Sequence, residues 1–218
     1  MNVVITSGGS WEKIDSVRSI CNFSSGKTGS TLCDYFTKNG FKVYFIYNKN
    51  SLIPKYTPYK KIPFVYFNEL EKEIDVILKN VKIDLFIHLA AVSDYRVENI
   101  LCDGKILDRS KKIKSSKKIN LELLPNPKLV EKIKKFNETV FLVAFKLYTT
   151  DTLDKIKISK LFNKSGANLI VTNNLLDITL NSYRGKIYKR ETFLQIVNSR
   201  EELAESLMKI FKRDKDYE

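Results

Sequence analysis

The segment Asp84–Val92 (DLFIHLAAV) is a largely apolar run near the middle of a chain of 218 residues. A run of this kind, without polar alternation, is typical of a strand at the buried centre of a parallel sheet. β-Branched and aromatic runs at Val3–Thr6, Lys42–Tyr47 and Thr139–Phe145 alternate with segments of helical periodicity such as Gly26–Lys38. This alternation predicts an α/β fold with a doubly wound, mostly parallel, Rossmann-like sheet.

Between the second strand and the central strand, the sequence predicts a loop, a third strand and a helix. Prolines indicate the loop over residues 49–63, and the strand follows at Phe64–Phe67. Asn68 belongs to the residue types preferred at helix N-caps, and the apolar spacing after it predicts a helix that ends at Asn80.

The second half of the chain is expected to begin with a lysine-rich lid over about residues 96–118, irregular from residue 98. The later pattern predicts a strand at Ile119–Leu124, a helix at Pro127–Phe136, a helix at Thr152–Lys164 and a strand at Ala167–Thr172. Residues 177–198 predict a C-terminal hairpin with its turn at Arg184–Gly185. Ser199 and Glu202 have the spacing of a capping box for the last helix. No internal repeat is apparent, and we expect one domain over residues 1–218.

Composition excludes several classes of protein. Hydrophobic residues make up 43% of the chain, too many for a disordered protein. The three cysteines form no CxxC pair and His88 is the single histidine, which argues against a disulfide framework and a multi-histidine metal site. No stretch resembles a signal peptide or a membrane-spanning helix, so we expect a cytoplasmic protein without a membrane partner.

The formal net charge of +13 has three competing explanations. A basic protein can bind nucleic acid, act on anionic small molecules, or have accumulated lysine without a functional consequence. The lysines are scattered apart from Lys111–Lys118 and the C-terminal KRDKD, and no nucleic-acid-binding module is recognisable. The Lys111–Lys118 cluster could bind polyphosphate or form a solvated loop.

Two glycine-containing segments could approach an anion. Ser7–Ser10 (SGGS) follows the first strand, where a glycine pair allows backbone amides to approach a phosphate, although a tight turn alone would explain it. It lacks the GxGxxG pattern of a standard dinucleotide site. Ser24–Thr28 (SSGKT) ends like a P-loop, but Cys21 occupies the position of the first glycine and no strand directly precedes the loop. The interpretation that remains is the start of a helix, whose free amides are suited to an anion.

Three further candidates also have ordinary structural explanations. Tyr56 and Lys60 match the Tyr-x-x-x-Lys pair of short-chain reductases, but Pro58 opposes the helix that this pair requires. His88 lies within a predicted strand, where a hydrogen-bonded core histidine is favoured over a catalytic base, and no GxSxG elbow accompanies it. Asp94 follows the central strand and could accept a hydrogen bond from a ligand amine or cap a helix.

Six segments are most informative when they are taken together: SGGSWEKIDSVRSICNFSSGKTG (7–29), AAVSDY (90–95), KIKSS (112–116), NPKLV (126–130), AFKL (144–147) and LIVTN (169–173). Their order and spacing resemble the phosphopantothenate–cysteine ligase family, from Met1 to about Thr192. Because the chain begins at the ligase's first strand, the resemblance is to the stand-alone form. It implies that 4′-phosphopantothenate is joined to cysteine through an acyl-nucleotide, with Mg²⁺ and a nucleoside triphosphate, CTP or ATP.

The resemblance also implies roles for individual residues. Lys112 matches a lysine that binds the triphosphate, and Asn22 matches an asparagine of the second half-reaction, in which cysteine attacks the acyl-nucleotide. The other expected nucleotide-binding residues are Ser7, Gly8, Gly9, Ala90, Ala91, Asp94, Phe145, Asn173, Lys160 and Lys164. The last two have the spacing of a lysine pair in the family but fall one position off when they are aligned from Asn173. No metal ligand is identified.

The resemblance further implies a homodimer in which Asn22–Gly29 contributes to the contact, and CTP is the expected nucleotide. The alternative function is a basic Rossmann protein that binds nucleotides or nucleic acid without ligase activity. Binding of nucleic acid would require a contiguous basic face with exposed aromatic side chains, whereas the aromatics here lie mostly in predicted strands. A nicotinamide-dependent reductase is disfavoured by the missing glycine pattern.

Overall fold

The computed structural model describes residues 1–115, 118–149 and 155–216. In chain order its strands are β1 (Asn2–Ser7), β2 (Trp11–Lys13), β3 (Ser19–Cys21), β4 (Lys42–Asn48), β5 (Lys60–Phe64), β6 (Leu85–His88), β7 (Tyr95–Cys102), β8 (Lys105–Ile106), β9 (Asn120–Pro125), β10 (Phe141–Tyr148), β11 (Leu169–Asn174), β12 (Gly185–Lys189) and β13 (Thr192–Val197). Its helices are α1 (Lys27–Lys38), α2 (Phe67–Asn80), α3 (Leu129–Phe136), α4 (Lys155–Ser165) and α5 (Arg200–Asp216), with a short 3₁₀ turn at Leu175–Asp177.

One eight-stranded sheet organises the fold, in the order β13-β12-β11-β10-β6-β1-β4-β5. The strands from β11 to β5 in this order run parallel, and β12 and β13 add an antiparallel hairpin at one edge. The predicted Rossmann-like class with a C-terminal hairpin is therefore confirmed. The chain extends from β1 to β4 and β5 on one side, then returns to β6 on the other side. Ligands of such sheets bind beyond the strand carboxyl ends at this switch point.

Helices cover both faces of the sheet because strand side chains alternate between two apolar cores. On one face, Val3 and Ile5 of β1 belong to a core with α1 and α5. On the other face, Val4 and Phe86 belong to a core with α2 and α3, and α4 packs on β10 and β11. Every residue of β6 is buried, as the apolar run predicts for a central strand.

The third strand and the helix after it begin earlier than the sequence predicts. β5 spans Lys60–Phe64 and contains Pro63, which is tolerated because β5 is the edge strand of the sheet. The predicted strand end at Phe67 and the predicted cap at Asn68 are both wrong, since the N-cap of α2 is Tyr66. The Glu69 carboxylate accepts from the amides of Val65 (2.7 Å) and Tyr66 (3.2 Å), which starts the helix there.

The expected irregular lid is largely ordered. β7, β8 and β9 form a separate three-stranded antiparallel sheet, so the prediction of irregular structure from residue 98 is wrong. This small sheet has its own core, formed by Val97, Ile100 and Ile113. Lid residues 116–117 lie outside the described residues, as do 152–154 of the helix predicted at Thr152–Lys164. The assignment of the chain to one domain stays a prediction.

The C-terminal hairpin turns later than the sequence predicts. Gly185 begins β12, and the turn lies at Arg190 and Glu191, whose φ angles are +47° and +68°. Neither residue type signals a positive φ, so the predicted turn at Arg184–Gly185 is wrong. The last helix starts where it was expected, because Ser199 Oγ accepts from the amide of Glu202 at 3.0 Å.

Candidate active site

Two turns beyond the carboxyl ends of β1 and β6 are joined by backbone hydrogen bonds. Ala91 N donates to Gly8 O at 2.8 Å, and Ser10 N donates to Ala91 O at 3.1 Å. The chain leaves β6 after His88, so the central strand is shorter than predicted, and Ala91 forms an isolated bridge with Gly9. The crevice between these strands thus brings together five predicted nucleotide-binding residues: Ser7, Gly8, Gly9, Ala90 and Ala91.

The glycine pair of the first turn is required by its surroundings. Gly8 has a φ of +85°, a conformation that glycine adopts without a steric penalty. A β-carbon on Gly9 would lie only 2.2 Å from the carbonyl oxygen of Asn22. The segment around Asn22 therefore packs directly on the backbone of this turn, and a tight turn alone does not account for Gly9.

His88 supports the second turn from below. Thr6 Oγ1 accepts from Ala90 N at 3.2 Å and forms a hydrogen bond with His88 Nδ1 at 3.0 Å. Burial lowers the pKa of His88 to about 4. The side chain is therefore a neutral core histidine that helps to position Ala90.

Asn22 follows β3 and reaches the second turn across the crevice. Its Nδ2 donates to Val92 O at 3.0 Å and lies 3.4 Å from Ala91 O. The structure thus joins this predicted catalytic residue to the predicted nucleotide-binding turn. The amide donor that sequence reasoning assigns to the acyl-nucleotide is used here to hold the turn itself.

The first turn of α1 lies against the end of β1. Ser7 Oγ donates to Gly26 O at 3.2 Å, and a β-carbon on Gly29 would lie 2.3 Å from Ser7 Oγ. Gly26, with a φ of +72°, precedes the helix, and the first turn of α1 contains no acidic residue. Lys27 N donates to Ser25 Oγ at 3.3 Å, and amides left unpaired at a helix start favour an anion, which agrees with the sequence interpretation of this segment.

Asp94 precedes β7, so the alternative that it caps a helix is wrong. Its exposed carboxylate forms an ion pair with Lys128 Nζ. Asn126 N donates to Asp94 O at 2.8 Å, and Asn126 Nδ2 donates to Glu12 Oε1 at 3.0 Å. Sequence reasoning did not include Asn126 and Lys128 among the site residues, although the NPKLV segment was the available signal.

Lys112 is exposed on the segment between β8 and β9, and its neighbour Ile113 fixes that segment to the β2–β3 connection. Ile113 N donates to Asp15 Oδ2 at 3.0 Å, and Arg18 Nη2 donates to Ile113 O at 2.6 Å. The Arg18 guanidinium beside Asp15 holds the pKa of that carboxyl well below its usual range. Sequence reasoning missed Asp15 and Arg18. Their contact, Ile113, lies 98 residues after Asp15 in the chain.

Phe145 and Asn173 occupy the carboxyl-terminal parts of neighbouring strands β10 and β11. Phe145 packs against the core on the α1 and α5 face. The buried Asn173 side chain donates from Nδ2 to Arg184 O at 2.8 Å and accepts from the Tyr183 hydroxyl at 3.4 Å. Both residues lie toward the carboxyl ends of their strands, as predicted, and the amide of Asn173 stabilises the start of β12.

Lys160 and Lys164 are exposed on α4, the helix that returns from the carboxyl end of β10 to the amino end of β11. Lys164 lies in the last turn of α4, two residues before Gly166 and four residues before Asn168. Asn168 Oδ1 accepts from Leu142 N at 2.9 Å, near the amino end of β10. The structure therefore does not bring Lys164 to the crevice, and nucleotide binding by the lysine pair stays a prediction.

Within the described residues, histidine, cysteine, aspartate and glutamate side chains form no group of three that could hold a metal ion. The cysteines Cys21, Cys33 and Cys102 are free. None of the described helices combines the length and apolarity needed to cross a membrane.

Comparison with known proteins agrees with this arrangement. Residues 1–213 match the family described as DNA/pantothenate metabolism flavoprotein C-terminal domain. The chain belongs to this family. A structural relative is the DNA/pantothenate metabolism flavoprotein from Streptococcus pneumoniae, with a TM-score of 0.85, 27% identity and full coverage of both chains.

Two curated relatives of this family member carry informative names. The coenzyme A biosynthesis bifunctional protein CoaBC of Thermococcus kodakarensis is 34% identical over 175 residues, which cover 79% of this chain and 41% of that protein. Phosphopantothenate–cysteine ligase 2 of Oryza sativa subsp. japonica is 26% identical over 223 residues, covering 79% of this chain and 68% of the rice protein. The chain thus spans about two fifths of the length of the bifunctional relative.

Proposed function

We propose that this chain is a phosphopantothenate–cysteine ligase, which joins 4′-phosphopantothenate to L-cysteine in coenzyme A biosynthesis. The observation that carries the proposal is the meeting of segments 7–29 and 90–95 at the β1–β6 crevice, where Asn22 donates to Val92 O. Family membership and the names of the two curated relatives support the same activity.

The proposed reaction has two steps. A carboxylate oxygen of phosphopantothenate attacks the α-phosphate of the nucleotide, which forms an acyl-nucleotide and releases pyrophosphate. The cysteine amine then attacks the acyl carbonyl, an amide bond forms, and the nucleoside monophosphate leaves. The attack of one anion on another requires compensating positive charge at the site.

Residues of the crevice and of the lysine-rich segment between β8 and β9 can supply the required interactions. Lys112 neutralises charge at the α-phosphate, and the free amides of the first turn of α1 hold a second anionic group. Asn22 holds the turn at Ala91 and Val92 against which the acyl-nucleotide lies, and so it orients the acyl group for attack by the amine. Mg²⁺, when bound together with the nucleotide, would neutralise further phosphate charge.

CTP is the proposed nucleotide. The Asp94 carboxylate is exposed beyond the central strand and can accept a hydrogen bond from the exocyclic amine that cytosine and adenine both carry, so the choice of CTP rests on the family resemblance. A higher kcat/KM with ATP than with CTP would reverse this assignment.

The proposed assembly is a homodimer with the Asn22–Gly29 segment in its interface. Phe23 in this segment is 99% exposed, and burial of its ring against a partner would remove apolar surface from water. The alternative of a nucleic-acid-binding protein is less well supported. Exposed aromatic rings such as Phe23, Tyr59, Phe136 and Phe193 lie on or beside separate elements, whereas stacking of successive bases requires a row of neighbouring rings.

Pyrophosphate release tests the proposed function most directly. The chain is mixed with Mg²⁺ and either CTP or ATP, with and without phosphopantothenate and with and without cysteine. Release is expected to require phosphopantothenate and Mg²⁺ but not cysteine. Absence of release with all substrates present would refute the ligase, and complete dependence on cysteine would contradict a free acyl-nucleotide.

A further inference from the structure

Arg109 lies on the connection between β8 and β9, and its guanidinium joins two separate elements. It donates to Val97 O at 2.7 Å and to Glu98 O at 3.4 Å, both in β7. It also donates to Lys13 O, at the end of β2, and to Ile14 O at 3.3 Å. The half-buried side chain therefore fastens the small sheet of β7, β8 and β9 to the β2–β3 hairpin, which lies 95 to 96 residues earlier in the chain.

The chemistry of arginine suits this position. A guanidinium has five N–H donors in a planar fork and stays charged, so one side chain can donate to several carbonyl oxygens at once. Bonds from a charged donor are also stronger than those between neutral groups. A lysine has three donors on a single nitrogen, so it would keep only part of the attachment that Arg109 makes.

Lys112 lies between two attachments of this kind. Arg109 is three residues before it, and Ile113 directly follows it. Ile113 donates to Asp15, accepts from Arg18 and is buried in the core of the small sheet, whereas Lys112 itself is exposed. An exposed lysine on a connecting segment samples many positions, and attachment of the backbone on both sides restricts this freedom.

The β2–β3 hairpin also leads directly to the crevice. β3 ends at Cys21, and Asn22 after it donates to Val92 O at 3.0 Å. Arg109 therefore connects the segment of Lys112 to the element that holds the turn at Ala91 and Val92. A misplacement of about 1 Å costs roughly a hundredfold in rate, so this connection bears on how well Lys112 can act.

We infer that Arg109 is a positioning residue, which holds Lys112 in place for its interaction with the nucleotide. Arg109 acts through Lys112, because its Nε, Nη1 and Nη2 atoms all donate to backbone carbonyls. The inference rests on the role of Lys112 in the proposed function. Loss of Arg109 should therefore remove part of what Lys112 contributes and have no effect once Lys112 is absent.

A double-mutant cycle of the wild type, Arg109→Gln, Lys112→Ala and the double variant tests this inference. Pyrophosphate release is measured in single turnovers with saturating Mg²⁺–CTP and phosphopantothenate. Lys112→Ala is expected to slow release about a hundredfold and Arg109→Gln about tenfold. The double variant should be slowed about a hundredfold, as Lys112→Ala alone is, whereas independent effects would multiply to about a thousandfold.

Binding of the nucleotide provides a second reading of the same cycle. Calorimetric titration with Mg²⁺–CTP and with Mg²⁺–ATP should show that Lys112→Ala weakens binding about tenfold, the scale of one lost charge-assisted hydrogen bond. The double variant should bind no more weakly than Lys112→Ala. This measurement does not require phosphopantothenate, cysteine or turnover.

Two further variants separate positioning from loss of charge. Arg109→Lys should recover part of the rate that Arg109→Gln loses. Lys105→Gln removes one positive charge from β8 in the same small sheet, and as the matched control it should behave like the wild type. Without any ligand, hydrogen–deuterium exchange of the Ile113 amide should be faster in Arg109→Gln, since its bond to Asp15 lies next to the lost attachment. Thermal unfolding verifies that each variant folds.

The outcomes distinguish this inference from the proposed function. Effects that multiply in the double variant, or wild-type nucleotide binding and pyrophosphate release by Arg109→Gln, would overturn the role of Arg109. Equal slowing by Lys105→Gln and Arg109→Gln, or unchanged exchange of the Ile113 amide, would overturn it as well. Non-additive effects of Arg109 and Lys112 on nucleotide binding, in a chain that releases no pyrophosphate with phosphopantothenate, would support the role of Arg109 and refute only the ligase.

Discussion

Replacement of Gly9 by alanine tests how closely the Asn22 segment must approach the nucleotide-binding turn. The added β-carbon would lie 2.2 Å from the carbonyl oxygen of Asn22 and 3.3 Å from its carbonyl carbon. A relaxed contact between carbon and a carbonyl oxygen is about 3.3 Å, so the two backbone segments must separate by roughly 1 Å. Because the clashing oxygen belongs to the backbone, rotation of a side chain cannot relieve the contact.

The expected losses follow from this separation. A shift of roughly 1 Å would stretch the 3.0 Å bond from Asn22 Nδ2 to Val92 O beyond hydrogen-bond range. A misplacement of this size costs about a hundredfold in rate, and overpacking costs about 1–3 kcal/mol in stability. We therefore expect Gly9→Ala to lower kcat/KM about a hundredfold and the free energy of unfolding by about 2 kcal/mol.

The assay measures pyrophosphate release and phosphopantothenoylcysteine formation in the same preparation, with urea unfolding in parallel. Gly40→Ala is the control, since Gly40 has a φ of +79° but open space around an added β-carbon. Gly40→Ala should lower the free energy of unfolding by about 1–2 kcal/mol. It should leave kcat/KM unchanged, because Gly40 lies before the amino end of β4, at the end of the sheet opposite the site. If Gly9→Ala kept kcat/KM near the wild-type value, the close contact with Asn22 would not shape the site.

Three further substitutions test other parts of the site. Lys112→Ala should slow pyrophosphate release about a hundredfold at saturating nucleotide, whereas Lys111→Ala should not; equal rates would remove Lys112 from the site. Asn22→Asp should spare pyrophosphate release and accumulate acyl-nucleotide in quenched single turnovers, because a carboxylate cannot donate to Val92 O and repels a phosphate; a parallel loss of both steps would contradict this role. The wild-type free energy of unfolding should fall by up to about 3 kcal/mol between pH 6.5 and pH 4, because unfolded His88 takes up a proton that buried His88 refuses. In urea titrations His88→Gln should lack this part of the pH dependence, and an unchanged profile would refute the assignment.

The sequence by itself determined the class of fold and the segments that meet at the site. Apolar runs such as the one at β6 and helical periodicity such as that of α1 are local patterns, and a parallel sheet places the carboxyl ends of its strands at one edge. Gly9 and Ala91 could therefore be assigned to one end of the sheet, whereas Asn22, 69 residues from Ala91, was assigned to the same site only through the family resemblance of the motif set.

Only the tertiary structure decided which contacts those residues make. Pro63 in β5 contradicts local strand preference and is tolerated because its edge position leaves one side without a pairing strand. The hairpin turn at Arg190 and Glu191 contains neither glycine nor asparagine, so pairing of β12 with β13 imposes a backbone that composition does not signal. The bond from Ile113 to Asp15 depends on which distant segments pack together. Local propensity carries no information about such packing, because the partners of each buried polar group are set by the placement of whole elements.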